Sequence, residues 1–209
     1  QKKQSVSDLD SEKLSMFEIG SKFAFNRVNG TISFYKGKKK NSIFRDSENF
    51  IIDNGKTNHE GMELTSRVQF KNKSSLLATL TYGDHKYEFS SDTSTREKIR
   101  EGNTIDTAPK LTGNLIWSFS INDSIFSEIE LEHMDSYFTD AANLHEYEGH
   151  TLFHFRSSWD YTSRLTGHLR IENLTDKDYA ERADFNAFGG DRYFPGLPRE
   201  AYIGLEYSL

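Results

Sequence analysis

The chain has 209 residues, a formal net charge of −6, no cysteine, 35% hydrophobic residues and 13% aromatic residues. The lack of cysteine excludes disulfides and thiolate metal sites, and no apolar run approaches the roughly 18 residues that suggest a transmembrane helix. The negative charge argues against nucleic acid as a main partner. Many aromatic residues with few aliphatic ones are typical of a transmembrane β-barrel, although a soluble all-β domain with long polar loops has the same composition.

Beyond a polar segment at residues 1–13, which we expect to be a loop, apolar and polar residues alternate in a series of short stretches. In the first of them, Phe17, Ile19, Phe23 and Phe25 fall on one face. Alternation with a period of two predicts half-buried β-strands. About nine such strands are predicted in chain order, at residues 17–25, 31–36, 62–70, 76–82, 111–119, 125–132, 153–161, 165–172 and 200–209.

The connections between these strands alternate in length. Short turns are predicted at 26–30, 71–74, 121–124 and 162–164, and long loops at 37–59, 84–109, 135–150 and 175–198. In an up-and-down meander all the short turns then share one end of the sheet. Outer-membrane barrels have this asymmetry, with short periplasmic turns and long extracellular loops. The prediction is an all-β, antiparallel up-and-down meander that forms part of a large transmembrane β-barrel.

The alternation also assigns each strand two faces. The lipid-facing side chains are predicted to include Leu115, Trp117, Phe153, Phe155, Leu169 and Leu205. Glu128, Glu130 and Glu132 have the opposite parity and should face the lumen. We expect them to pair with Arg156 and Arg170 on the next two strands. The final strand stays amphipathic as far as Leu209 and should run from the outer end to the periplasmic rim.

The stretch from Ile171 to Tyr179 reads I-E-N-L-T-D-K-D-Y. It resembles the "v-x-N-L-t-D-k-x-Y" run near the end of TonB-dependent outer-membrane receptors. The residues that carry the resemblance are Asn173, Leu174, Asp176 and Tyr179.

Other stretches are similar to that family's segments and occur in the same order. The segment from Leu9 to Gly20 resembles "L-x-P-E-x-x-x-x-y-E-x-G", with Ser11 where proline is usual. The segments 58–64 and 102–109 resemble "x-G-x-E-l" and "G-x-x-l-x-x-a-P". The stretch F-P-G-L-P-R, which contains Pro195 and Arg199, resembles the entry to the last strand. The chain ends G-L-E-Y-S-L, and Gly204, Tyr207 and Leu209 resemble the terminal assembly signal, with leucine where phenylalanine is usual.

The resemblance implies that residues 1–209 are the C-terminal portion of a barrel of about 22 strands, with the plug domain and the N-terminal strands absent. It implies energised uptake of a scarce nutrient at the bacterial outer membrane, most simply a ferric siderophore. The implied partners are outer-membrane lipid and lipopolysaccharide, the TonB complex through the missing N-terminal region, the barrel-assembly machinery and the iron-chelate ligand, and no nucleic acid.

Candidate ligand-binding residues lie in the last two long loops, where guanidinium groups and aromatic rings suit chelates that carry carboxylate or catecholate groups. A lysine run from Lys36 to Lys40 is either a contact for lipopolysaccharide phosphates or an anionic chelate, or a solvated charged segment. The ligand candidates are His145, Tyr147, Arg182, Arg192 and Tyr193.

No catalytic residue, cofactor or metal site is predicted. The stretch from His145 to His150 has the wrong spacing for a zinc helix, because its second histidine stands at i+5. Two alternatives remain open. One is a passive porin or adhesin barrel. The other is a smaller outer-membrane protease barrel, which the Asp84–His85 pair at a strand end suggests.

Overall fold

The computed structural model of the protein describes residues 10–94 and 96–209, and these residues form an all-β structure. Within these two ranges no helix is long and apolar enough to cross a membrane. The strands are β1 (Lys13–Phe25), β2 (Val28–Arg45), β3 (Ile51–Gln69), β4 (Ser75–Tyr87), β5 (Leu111–Asn122), β6 (Ile125–Met134), β7 (Tyr137–Phe138), β8 (Glu146–Tyr147), β9 (His150–Thr162), β10 (Leu165–Glu172), β11 (Ala180–Asn186), β12 (Gly190–Pro195) and β13 (Glu200–Tyr207).

Nine of these strands form one antiparallel sheet in the order β1-β2-β3-β4-β5-β6-β9-β10-β13. The other four form two small hairpins, β7–β8 and β11–β12, inside the last two long connections. The predicted up-and-down meander of about nine strands is therefore confirmed. The four predicted short turns also occur, and they lie together at the end of the sheet opposite the long connections.

The predicted long loop at 37–59 is wrong. β2 continues to Arg45 and β3 begins at Ile51, so only residues 46–50 connect them. Asp46 closes this turn, because its Oδ1 accepts hydrogen bonds from the backbone N–H groups of Glu48 and Phe50 at 3.1 and 2.8 Å. Most residues of the two strands are polar at this level, and the apolar ones occur as adjacent pairs, Ile43–Phe44 and Ile51–Ile52, so the apolar alternation that reveals a strand is missing.

The predicted loop at 1–13 lies mostly in the part of the chain that is not described, and Leu9 lies there too. Residues 10–12 have no regular structure, and β1 begins at Lys13. Glu18 and Gly20, which end the family-like stretch that starts at Leu9, lie inside β1.

One side of the sheet, the apolar face, carries the predicted lipid-facing residues. Strand register places Ala78, Leu115, Leu131 and Phe153 side by side on adjacent strands. The opposite side, the polar face, carries Ile116, Glu130 and His154, which are the adjacent residues on β5, β6 and β9 and also lie side by side. Large apolar side chains stay exposed on the apolar face, among them Phe17, Ile19, Phe34, Leu80, Leu115, Trp117, Ile203 and Leu205.

The buried hydrophobic clusters lie instead at the outer end, the end with the long connections. One cluster contains Tyr137, Tyr147, Ala180 and Ala183. The second contains Tyr87, Ile99 and Ala141, with Phe44, Phe89 and Ile105 packed against it. Apolar side chains are therefore buried where the long connections meet, whereas those on the apolar face of the sheet stay exposed.

Candidate functional site

Four outer connections pack together into what we call the loop cap, defined as residues 46–50, 88–94, 96–110, 135–149 and 173–199. Backbone hydrogen bonds join them: the N–H of Phe185 donates to Thr139 O at 3.0 Å, and that of Thr107 donates to Phe138 O at 2.8 Å. Asn143 and Thr104 exchange two hydrogen bonds of 2.8 Å between side chain and backbone. These contacts give the long connections one shared arrangement.

Two buried carboxylates hold this arrangement from inside. Glu97 is 5% exposed and accepts hydrogen bonds from the backbone N–H groups of Ser47 and Ala141, in two other connections. Asp140 accepts from the N–H groups of Leu144 and His145 at 2.9 and 2.8 Å. Each carboxylate satisfies backbone donors that would otherwise be buried without a partner.

A cavity of about 230 Å³ opens between the four connections. Asp184 lies in its wall and accepts hydrogen bonds from Arg182 Nη2 at 3.1 Å and Arg192 Nε at 2.6 Å. The Asp184 side chain is largely buried, whereas both guanidinium groups are more than half exposed. Two cations share one anion, so this part of the wall keeps a net positive charge and free N–H donors. The remaining lining is rich in carboxyl groups, including Asp46, Glu97, Asp106 and Asp140.

Burial raises the pKa of three of these carboxyl groups, Asp46, Asp106 and Asp140. Asp106 also accepts a hydrogen bond from Tyr87 Oη at 2.6 Å, and burial raises the pKa of that tyrosine as well. A carboxyl group whose pKa is higher in the folded state stabilises the fold when protonated, and that stabilisation is lost as pH rises through the raised pKa. The loop cap should therefore be tightest in mild acid.

The Asp106→Asn variant tests this pH dependence. The amide oxygen still accepts from Tyr87, but no charge has to be buried at neutral pH. We expect cap opening to increase as pH rises from about 4 towards neutrality in the unmodified protein, and to increase less in the variant. Hydrogen exchange at the Thr107 amide, corrected for the intrinsic pH effect, measures it. Asp123→Asn in an exposed turn at the opposite end is the control, and equal slopes in all three proteins would contradict the expectation.

The five predicted ligand residues all lie in the loop cap, in different surroundings. Arg182 and Arg192 line the cavity. His145 stacks on Phe185 with ring centroids 3.7 Å apart and lies 3.6 Å from Asp191. Tyr193 is 57% exposed, whereas Tyr147 is 8% exposed and its hydroxyl contacts His150 Nδ1 and the Ala180 N–H. The ligand role of all five stays a prediction.

The family-like motif residues tie together the two ends of the last long connection. Asn173 is 2% exposed, with a positive φ of 47°, and its Nδ2 donates to Lys177 O and Leu197 O at 2.9 and 3.1 Å. Asp176 accepts from the Arg199 N–H at 2.9 Å. The Asn173 side chain thus holds the start of the last long connection against Leu197, which lies 24 positions further along the chain.

The remaining motif residues lie around the same bridge. Leu174 donates its N–H to Phe153 O at 2.7 Å. Tyr179 packs so closely over Gly196 that any side chain at that glycine would clash with the tyrosine ring. Pro195 ends β12 opposite Ala180.

The terminal residues Gly204 and Tyr207 lie on β13, which pairs with β10 along one edge. Leu209 lies beyond the strand and is fully exposed. Within the described residues β13 has no partner on its other edge, and neither does β1. The role of Gly204, Tyr207 and Leu209 as an assembly signal stays a prediction.

The polar face of the sheet carries the expected ion pairs only in part. Arg156 Nη2 contacts Glu130 Oε2 at 2.7 Å, as predicted. The prediction for Arg170 is wrong, because Arg170 contacts Glu172, two residues along its own strand. Glu128 instead accepts from Ser118 Oγ at 2.7 Å, and Glu132 lies 3.8 Å from His154.

Asp84 and His85 are adjacent in β4, so their side chains lie on opposite faces of the sheet. Within the described residues there is no group of three or more His, Cys, Asp or Glu side chains that could hold a metal ion.

A family model described as "TonB dependent receptor-like, beta-barrel" matches residues 3–174 of the sequence. A search of curated proteins finds no match.

Solved structures with the same fold include the siderophore receptor PiuA from Acinetobacter baumannii, with a TM-score of 0.79 and 20% identity over 95% of this chain and 29% of that one. The ferric citrate transporter FecA has a TM-score of 0.77 and 20% identity, covering 93% of this chain and 31% of that one. The ferric yersiniabactin uptake receptor FyuA from Yersinia pestis has a TM-score of 0.74 and 15% identity, covering 93% and 29%. The chain thus spans less than a third of the length of each, and at these identities the likeness is one of fold.

Proposed function

The chain belongs to the TonB-dependent receptor-like β-barrel family, and from this we propose that it is the C-terminal portion of the barrel of an outer-membrane receptor. The receptor would take up a scarce nutrient, most simply a ferric siderophore, with energy from the TonB complex. In this proposal the plug domain and the N-terminal barrel strands belong to the rest of the protein. The free edges of β1 and β13 would pair with those other strands.

The cavity in the loop cap is the observation on which the choice of an anionic metal chelate rests. Arg182 and Arg192 both pair with the one carboxylate of Asp184, and both arginine side chains are more than half exposed. Guanidinium groups donate paired hydrogen bonds to carboxylate and similar planar anions, and these charge-assisted bonds are the strong ones. Three similar solved proteins are named as a siderophore receptor, a ferric citrate transporter and a ferric yersiniabactin uptake receptor, which supports this ligand class.

A row of lysines on the apolar-face side of the sheet supports lipopolysaccharide as a neighbour. Above the last apolar side chains, Lys40 lies directly opposite Lys13 on one side and Lys56 on the other. Like charges directly opposite in a sheet repel each other, so an anionic group outside the wall would stabilise the row. Lys36 and Lys38 nearby are already paired, with Glu60 and Glu88.

Uptake of radioactive iron tests the proposal in cells that carry the full-length receptor as their only route for ferric chelates. Ferric citrate, a ferric catecholate and a ferric hydroxamate are the probes. We expect TonB-dependent uptake of at least one of them. In Arg182→Ala or Arg192→Ala, loss of one charge-assisted contact should weaken binding of that chelate about 10-fold to 100-fold.

Arg164→Ala is the matched control, because Arg164 lies in a short turn at the opposite end. Unchanged binding in both cap variants would contradict the assignment of the cavity. Absence of uptake with all three chelates, in cells where the receptor is correctly inserted, would contradict the proposed iron cargo.

A further inference from the structure

A second cavity lies on the polar face of the sheet, against β1 to β4, and shares no lining residue with the loop-cap cavity. Its volume is about 500 Å³, and its lining includes Tyr35, His59, Glu63 and His85. His59 and His85 stand directly opposite each other on β3 and β4. The charged neighbours Glu60 and Asp84 occupy the other face at this level, so the two imidazoles lie beyond the apolar band.

The two imidazole rings face each other through the same type of nitrogen. Their Nδ1 atoms are 3.1 Å apart, and the ring centroids are 5.0 Å apart. A metal ion holds imidazole nitrogens at about 2.0–2.1 Å. Two nitrogens bound at square or tetrahedral angles are then separated by about 2.9–3.4 Å. The separation of the two Nδ1 atoms already has this value.

The surroundings fix both rings in this orientation. The other nitrogen of His59, Nε2, lies 2.8 Å from the hydroxyl of buried Thr57. A partner on the second nitrogen orients a ligating histidine and selects its tautomer. On the other side, Gly83 leaves the space into which the His85 ring folds, since a Cβ there would lie 2.5 Å from His85 Nε2.

The two Nδ1 atoms lie within hydrogen-bonding distance, so one of them carries the proton that the other accepts. A metal ion bound between the rings would take the place of that proton, which the site would release on binding. Imidazole donors suit copper, nickel and zinc, whereas ferric iron is held mostly by oxygen donors in chelates.

We propose that His59 and His85 form a two-histidine binding site for a divalent copper, nickel or zinc ion on the lumenal wall, with water or a small ligand in the remaining coordination positions. The site shares no residue with the loop-cap cavity, and it stands on ring geometry that does not depend on the ferric cargo. The two histidines are 26 residues apart in the sequence, and both lie in segments predicted to be loops, so the sequence did not predict that they meet.

The test uses the purified full-length receptor, stripped of metal and titrated with copper(II) sulfate alone. Paramagnetic resonance should show one copper ion bound through two nitrogens. Loss of even an outer-shell partner typically weakens metal binding 10-fold to 100-fold. His59→Ala and His85→Ala are therefore each expected to weaken this copper site by at least about 10-fold and to remove its two-nitrogen signature.

His168→Ala is the matched control, since His168 lies on the polar face of β10, far along the sheet from β3 and β4. Its copper binding should equal that of the unmodified receptor, and gel mobility with and without heating should show that all variants are folded. The proposal is overturned if the unmodified receptor binds no copper, or if binding persists unchanged in the double variant. Ferric uptake is measured separately, so failure of this site and failure of the iron cargo give different results.

Discussion

The Leu115→Arg variant is expected to destabilise the folded barrel by about 2–4 kcal/mol, the usual cost of a cation at the lipid-exposed middle of an outer-membrane strand. Leu115 lies on the apolar face between Ala78 and Leu131, with no polar group on the rung to receive the new charge. The measurement is the free energy of unfolding of the full-length receptor in lipid vesicles, from a urea titration.

Ile116→Arg is the matched control, because it places the same charge one residue further along the same strand. Ile116 lies on the polar face directly opposite Glu130, which also contacts Arg156, so the new guanidinium meets charged and polar groups instead of lipid. Its unfolding free energy should change by much less than that of Leu115→Arg. Equal costs in the two variants, or spin labels at Leu115 that report water, would refute the assignment of the apolar face to lipid.

The Glu97→Ala variant is expected to destabilise the closed loop cap by about 2–6 kcal/mol. It leaves the buried N–H groups of Ser47 and Ala141 without their acceptor, and each unsatisfied buried donor costs about 1–3 kcal/mol. Because the two donors belong to different connections, the loss should open the cap without unfolding the sheet. Hydrogen exchange at these two amides in the full-length receptor measures the effect.

Glu101→Ala removes a carboxylate from the same connection, but Glu101 is exposed and should leave both exchange rates unchanged. Glu97→Gln keeps a single acceptor oxygen, so its exchange rates at the Ser47 and Ala141 amides should lie between those of Glu97→Ala and Glu101→Ala. If the Ser47 and Ala141 amides exchange no faster in Glu97→Ala than in the unmodified receptor, Glu97 does not hold the cap together.

The sheet could be predicted because alternate side chains along each strand face two different environments, one apolar and one polar. Where one face meets an apolar medium and the other a polar one, residues such as Phe153 and His154 record the strand directly in the sequence. The same reasoning fails at 37–59, since beyond the apolar band most residues are polar and the alternation disappears. The two strands remain paired there, with register shifts between Lys40 and Phe44, and the turn chemistry of Asp46 is the local signal that could have located their ends.

The loop cap could not be predicted, because its contacts join residues far apart in the chain. Glu97 contacts residues 50 and 44 positions away. Arg170 shows the same limit on the sheet: Glu128, Glu130 and Glu132 lie on the same face, but Glu172 on its own strand is nearer. The family-like motif around Asn173 was found from sequence, whereas its bridge to Leu197 became visible only in the structure.

The separation between buried clusters at the outer end and exposed apolar side chains on the sheet gives the molecule two independent sources of cohesion. Water drives the packing of Tyr87, Ile99 and Ala141 at the outer end, whereas in the proposed barrel the hydrocarbon of a bilayer would solvate Leu115 and its neighbours on the wall. A solute that weakens hydrophobic burial in water acts first on the cap, and a change in bilayer thickness acts first on the wall. The mouth of such a receptor can therefore loosen or tighten while its anchorage stays constant.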